Sequence, residues 1–224
     1  MGAPPRAAVR MRPPTEVTMS QQHPPGFEEI IESTLCPYAQ KALVHVLPFL
    51  GDEPVDAYFR RIAPEIRRRV GRAEADGTDA VVTELPVERV GSTPEQLAPV
   101  LWAWIKEIAD ENSTYLPRTV HTRWRLTVAG SDVFVAVFTP DFGPRHARYT
   151  PDTGKVYIVL QPDSSFHHRL PDDSSRVRRS IRRRFARAGR EYDTTRHEAE
   201  RFLPPRGDEE PAAWWEYSSK EVCR

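Results

Sequence analysis

The segment from Trp124 to Pro162 constrains the fold most, because it reads as strand, turn, strand, an unusual connection and then another strand. Trp124, Leu126 and Val128 alternate with Arg125, Thr127 and Ala129, the period of two expected of a strand with one buried face. Gly130-Ser131-Asp132 supplies turn residues, and Val133 to Phe138 is an apolar run of β-branched and aromatic side chains. A third run, Val156-Tyr157-Ile158-Val159-Leu160, completes the block. The second and third runs are joined by Thr139-Pro140-Asp141-Phe142-Gly143-Pro144-Arg145-His146-Ala147-Arg148-Tyr149, which holds two prolines, a glycine, two arginines and a histidine. Functional groups concentrate on loops held by a rigid sheet, since the sheet fixes position while the loop supplies polar groups. The loop from Thr139 to Tyr149 is therefore the first candidate for the site and is expected to line the principal pocket.

Helical signals lie on both sides of this block. Phe27 to His45 reads as helical with a break at Pro37. Val55 to Arg72 places Tyr58, Phe59, Ile62, Ile66 and Val70 on one stripe, with Pro64 expected to bend it. Ala80 to Leu85 reads as a short strand ended by Pro86. Thr93-Pro94-Glu95-Gln96 is a helix start, with Thr at the cap, Pro at the first position and Gln at the third. Leu97, Val100, Leu101, Trp104, Ile105 and Ile108 then repeat at helical spacing, as a buried helix face does. Ser174 to Arg190 is an arginine-rich helix with Val177, Ile181, Phe185 and Ala188 on one face. Helices early and strands late predict an α+β fold, a single domain with a largely antiparallel sheet flanked by helices. Residues 1–25, rich in proline and polar side chains, read as a disordered tail ahead of a domain over 26–224.

Composition removes several classes of function. Lys+Arg and Asp+Glu both number 32, so the chain as a whole exerts no pull on nucleic acid or anionic membrane. No stretch approaches the roughly 18–20 apolar residues of a membrane span. Neither nucleic acid nor membrane is expected as a partner. Cys36 and Cys223 are too few and too far apart for a disulfide framework, and the first residues lack the apolar core of a secretory signal. A reduced, cytoplasmic protein is the expectation. His-Glu-x-x-His, Cys-x-x-Cys, phosphate-loop and Rossmann glycine patterns are absent, as are serine-nucleophile motifs. Standard hydrolases and nucleotide enzymes therefore lack support.

The residues that could carry chemistry are few, and each has a plainer reading. The arginines of the 174–190 helix suit a nucleic-acid binder, but their apolar face makes an ordinary solvated amphipathic helix the better reading. Cys36, in Leu35-Cys36-Pro37-Tyr38, could ligate a metal, though a lone cysteine is more often a small buried residue. His167-His168 could do so too, but adjacent histidines on a strand face opposite ways. His146 stands between Arg145 and Arg148, whose guanidinium groups can pair with carboxylates, while Tyr149 or Phe142 could cover a ring. A lone loop histidine is nonetheless more often a surface residue.

The order of these elements resembles the YqcI/YcgG family. Cys36-Pro37-Tyr38-Ala39 resembles its early Cys-Pro-aromatic-Ala element, and Val81-Val82-Thr83-Glu84 its apolar strand ending in an acid. Trp124 with Val133 to Phe138 resembles its Trp-containing hairpin, and Thr139-Pro140, Arg145 and Arg148 its Thr-Pro…Arg…Arg loop. Leu160-Gln161-Pro162, Ile181-Arg182-Arg183-Arg184, Tyr192-Asp193 and Trp215-Glu216-Tyr217 follow in the family's order. Some members carry a histidine two positions after Thr-Pro, where this chain has Phe142, and many carry Arg after Gln-Pro, where it has Asp163.

The resemblance implies a heme-dependent monooxygenase that hydroxylates an amine or guanidine nitrogen of a small amino-acid-like substrate in specialised metabolism. It would use heme b, dioxygen and an electron donor. On this reading His146 is the axial ligand and so the metal-binding residue, with Cys36 the competing donor. Arg145 and Arg148 would meet the propionates or line the pocket, Tyr149 and Phe142 would lie against the ring, and Glu84 would pair with a cationic substrate. The alternatives are a non-catalytic heme-binding or sensing protein, and an arginine-helix module that binds nucleic acid or a partner.

Overall fold

The computed structural model describes residues 25–111, 113, 126–169, 174–190, 198–203 and 213–219. Helix α1 (Pro25–Ser33) and a short 3-10 turn (Ala39–Lys41) precede strand β1 (Val44–Leu47). Then come α2 (Val55–Gly71), α3 (Ala73–Asp76), β2 (Ala80–Pro86), α4 (Val87–Val90) and α5 (Pro94–Ile108). The strand block is β3 (Thr127–Val128), β4 (Ser131–Phe138) and β5 (Lys155–Pro162), and α6 (Asp163–Arg169), α7 (Ser174–Arg187) and α8 (Trp214–Ser219) end the chain. The five strands form one sheet in the order β1-β2-β5-β4-β3, parallel only at β1–β2. This is the expected α+β architecture with a largely antiparallel sheet.

The sheet is covered on both faces, and its register sorts the side chains between them. Val81, Leu85, Val135, Val137, Val156, Ile158 and Leu160 face a large core closed by α2, α5 and α8. Trp104 of α5 lies in that core and donates from Nε1 to Thr83 Oγ1 at 3.1 Å, so its only polar atom is satisfied. Ala80, Val82, Ala136, Tyr157 and Val159 face the other way, toward α1. Continuous burial explains why Val156 to Leu160 reads as an unbroken apolar run rather than an alternating one.

Local signals set most of the element boundaries. The Thr93 capping box is formed, with its side chain accepting from Gln96 N and the Gln96 side chain returning to the cap. The β3–β4 turn is Ala129-Gly130, with φ of 50° and 78°, because Thr127 pairs with Asp132 and Val128 with Ser131. Two consecutive positive φ values give the twist a two-residue hairpin requires, so the turn falls one residue earlier than Gly130-Ser131-Asp132 suggested. Ser131 and Asp132 belong to the strand.

Two readings are corrected, over Phe27 to His45 and over His167 and His168. Phe27 to His45 is not one broken helix: after α1 the chain turns and enters β1, where Val44 pairs with Ala80 and His45 with Val81. The ladder offered by β2 outweighs the weak local helical pattern there. Helix α2 runs unbroken from Val55 to Gly71 with Pro64 inside it. His167 and His168 lie on helix α6 rather than a strand, and His167 Nε2 sits 3.1 Å from Asp163 Oδ2 one turn away. The expected tail lies outside the described residues except for Pro25, and Trp124, Tyr192, Asp193 and Cys223 lie outside them as well.

Candidate functional site

A cavity of about 500 Å³ opens between the second face of the sheet and the layer formed by α1, the 34–42 segment and α7. Its volume falls in the range of small-molecule and cofactor sites, roughly 300–1,000 Å³. The sequence creates this space by placing Ala80 at the start of β2 and Ala136 within β4, where larger residues would fill it. Phe134, Phe138 and Val159 complete the floor, and Phe27 and Ile30 of α1 form one wall. Ile181, Arg182 and Phe185 of α7, with Ser165 and Phe166 of α6, form the other.

Four polar residues of the cavity belong to one corner of the sheet. Asp79, Asp132, Gln161 and Asp163 all line it. The antiparallel register brings them together: the starts of β2 and β4 flank the end of β5, with Val81 opposite Leu160 and Val133 opposite Pro162. Asp79 is buried and accepts a hydrogen bond from Leu43 N at 2.6 Å, which anchors the strand-to-strand corner. An apolar chamber with carboxylates from one corner of the sheet suits a ligand that is largely flat or apolar with a cationic group.

The expected site residues separate into two sets. Cys36 and Arg148 line the cavity, Cys36 from the irregular segment between α1 and the 3-10 turn. Tyr38 and Ala147 join them. His146, Arg145, Tyr149 and Phe142 do not line it, and of the loop from Thr139 to Tyr149 only Ala147 and Arg148 do. The loop is tied down instead. Thr139 is fully buried and donates from Oγ1 to Ser92 O at 2.7 Å. Gly143 takes φ +70° to turn the chain back toward His146, whose N donates to the Gly143 carbonyl at 3.1 Å.

His146 is built for structure. Its Nδ1 accepts a hydrogen bond from Arg148 N at 3.0 Å, and its ring packs on Phe142 with centroids 4.4 Å apart. With Nδ1 accepting, Nε2 carries the proton and offers no lone pair to a metal. Burial, and secondarily the Arg148 charge, lower its pKa to about 4. The Arg148 guanidinium is also engaged: Nη1 donates to the carbonyls of Arg201 and Phe202, and the group lies 5.7 Å over the Phe134 ring. It clamps the 198–203 segment along the edge of β4, where Phe202 O also accepts from Val137 N at 3.0 Å.

Glu84 lies away from the cavity. It is buried on β2, with Oε1 2.9 Å from Lys155 Nζ across the strand pair and Oε2 without a hydrogen bond among the described residues. The cavity residues that the sequence reading passed over are Asp79, Asp132, Asp163, Tyr38 and Arg182. Only the sheet register reveals that residues 79, 132 and 163 share one corner.

The sequence model of the YqcI/YcgG family matches residues 56–219. The chain belongs to the YqcI/YcgG family. The match covers the whole sheet after β1 and the helices of both layers except α1, and it begins downstream of Cys36. No curated protein and no solved structure matches the chain.

Heme b, implied by the resemblance, can be tested against the cavity. Cysteine thiolate and tyrosine are both donors that hold heme iron, and Cys36 and Tyr38 stand on one wall. Aromatic side chains with Ala80 and Ala136 give the flat apolar floor a macrocycle needs, and Arg182 supplies a guanidinium for a carboxylate. The residues fit the group. Among the described residues no three His, Cys, Asp or Glu side chains gather as a metal-ion cluster, but a heme brings four of its own ligands.

Proposed function

We propose that this protein is a heme-dependent monooxygenase that hydroxylates an amine or guanidine nitrogen. The observation that carries the reading is the apolar cavity with a thiol on one wall and three carboxylates from one corner of the sheet. In this reading Cys36 would hold the heme iron, in place of His146, whose Nδ1 lone pair is already engaged. Arg182 would pair with a heme carboxylate, and Phe134, Phe138 and Phe166 would exclude water from the chamber. The cationic nitrogen of the substrate is received by Asp79, Asp132 and Asp163, so Glu84 and its lysine partner are left to support the sheet.

Bound heme supplies dioxygen activation. Insertion of one oxygen atom into an N–H bond, with the other released as water, consumes two electrons and two protons, so an electron donor is required. The carboxylates orient the reacting nitrogen and hold its charge, the part of the work that positioning contributes to catalysis. The family membership and the resemblance to its N-hydroxylating members support the same chemistry.

The test is an absorption spectrum of protein expressed with heme precursor. A Soret band is expected, with the red-shifted ferrous carbon monoxide band of thiolate ligation. Cys36→Ala is expected to lose heme or the red shift, while His146→Ala keeps both in whatever protein remains folded. Absence of a Soret band in the folded wild-type chain would overturn the reading. Loss of the band in folded His146→Ala, with Cys36→Ala unaffected, would return the ligand to the loop.

A further inference from the structure

The outer face of α7 has no use in the site described above. Arg179, Arg183, Arg184 and Arg187 are exposed along it, and among the described residues none of them makes a hydrogen bond or an ion pair. Helix α7 contains no Asp or Glu. Arg179, Arg183 and Arg187 follow one another at i, i+4 and i+8, so each neighbouring pair repels and destabilises the isolated helix. Such a stripe works against the isolated helix unless something beyond the described residues neutralises it.

Its location gives it a purpose. The inner face of the same helix, through Ile181, Arg182 and Phe185, lines the cavity. A body docked on the outer face is thus separated from the cavity by one helix, about 10–12 Å across with its side chains. A shallow groove of about 420 Å³ runs beside the stripe, bounded by Arg184 and Arg187 on α7 and by Leu35 and Pro37. Those two residues flank Cys36 in the chain. Arg190 ties the two walls together, donating from Nη1 to Ser33 O at 3.1 Å.

We propose that this face is the docking surface for an acidic one-electron donor protein of the small iron–sulfur or flavin kind. The proposal rests on the monooxygenase reading, which requires two electrons per turnover. Small, weak, charge-steered encounters are the usual form of electron-transfer complexes. Nucleic acid fits the surface less well. The chain has as many acidic as basic residues, and Leu50, on the far side of the sequence, is the exposed large hydrophobic residue among the described ones. A single-strand binder presents aromatic platforms for bases, and α7 presents none.

The test uses the full chain and a small acidic [2Fe–2S] ferredoxin, with an acidic flavodoxin as second probe, by calorimetry at two salt concentrations. Binding of at least one probe is expected, weakening at least tenfold between 50 and 300 mM salt. Arg183→Glu/Arg187→Glu is expected to weaken it at least tenfold. Arg60→Glu/Lys106→Glu, an equal charge change on α2 and α5, is expected to stay within twofold. Thermal melts of both variants report that they are folded, and the wild-type salt series needs no variant at all. No binding of either probe, binding insensitive to salt, equal loss in both variants, or tighter binding of a 20-base-pair DNA duplex would each overturn the proposal. A chain without a Soret band that still binds the ferredoxin through α7 would remove the heme reading and leave the docking surface standing. A heme-loaded chain that binds neither probe would remove the docking surface alone.

Discussion

Helices α2 and α7 are both crowded with arginine, and they use it in opposite ways. On α2, Arg60 meets Asp56 at 2.7 Å, Arg61 meets Glu53 at 2.6 Å, and Arg68 and Arg69 share Glu65 at 2.5 and 2.7 Å. Arg72, at its end, meets Asp76 at 3.1 Å. Hydrogen bonds from Arg68 and then Arg69 hold the Glu65 carboxyl down at about 2. Helix α7 itself contains no Asp or Glu, and Arg179, Arg183, Arg184 and Arg187 meet no acidic partner among the described residues. The inner stripes differ as well: α2 buries Tyr58, Phe59, Ile62, Ala63, Ile66 and Val70, whereas α7 buries Phe185 and only half-buries Val177 and Ile181. One helix is a load on the core, balanced internally. The other covers a cavity and carries four exposed arginines with no ion-pair partner among the described residues.

The largest effect expected from this contrast is in packing. Phe59→Ala should destabilise by about 3–5 kcal/mol, as removal of a fully buried ring does. Phe185 borders existing empty space, so its replacement by Ala should fall at or below about 3 kcal/mol, the bottom of that range. Urea unfolding midpoints of the two variants measure the difference. A Phe185→Ala loss equal to that of Phe59→Ala would break the distinction between core helix and cavity cover.

Acid probes a region belonging to neither helix, then α2. The folded pKa of His146 is about 4 against an ordinary 6.5, so between these values the unfolded chain binds the proton first. Stability should therefore fall as pH drops from about 6.5 toward 4, by roughly 3 kcal/mol in total for this histidine. His146→Gln should remove that slope, and an NMR titration should find the ring neutral at pH 5. A normal imidazole pKa would contradict the half-buried, Nδ1-accepting geometry.

Smaller effects come from the charges. Glu65 has a depressed pKa, so its contribution is present above about 4.5 and is lost as pH falls toward about 2. Its side chain is 34% exposed, and Glu65→Gln should cost under about 1 kcal/mol at neutral pH. Arg183→Glu on α7 should do the reverse, turning two repulsive pairs into attractive ones and stabilising by about 0.8–2 kcal/mol. A gain in stability with a loss of docking would separate partner binding from folding in one variant. Destabilisation by Arg183→Glu would show that the stripe is balanced within the chain after all.

Periodicity made the helices and the strand block legible. The apolar stripe of α2, the capping box of α5 and the runs of β4 and β5 each carry a local signal strong enough to define an element. Strand β1 was not legible, because Val44 to Leu47 is only four residues long and is held by its ladder to β2. The site was legible in part. The loop from Thr139 to Tyr149 attracted notice for its polar residues, yet most of them serve its own tethering, and Arg148 faces the cavity while holding two carbonyls. Cys36 stood out by its setting before Pro37, but nothing nearby in the chain marks Asp79, Asp132 and Asp163 as neighbours.

The sequence alone determined which segments are amphipathic, where α5 begins, and that Val156 to Leu160 is a strand, because each of these depends on residues within one or two turns or along one strand. Tertiary structure decided the rest. Antiparallel register across β2, β5 and β4 assembles the carboxylate corner from positions more than 80 residues apart in all, and the small side chains of Ala80 and Ala136 become a cavity only when α1 and α7 close over them. The same closure left Cys36 on the cavity wall and turned His146 aside, since which nitrogen of an imidazole is free depends on a hydrogen bond that no spacing of residues reveals.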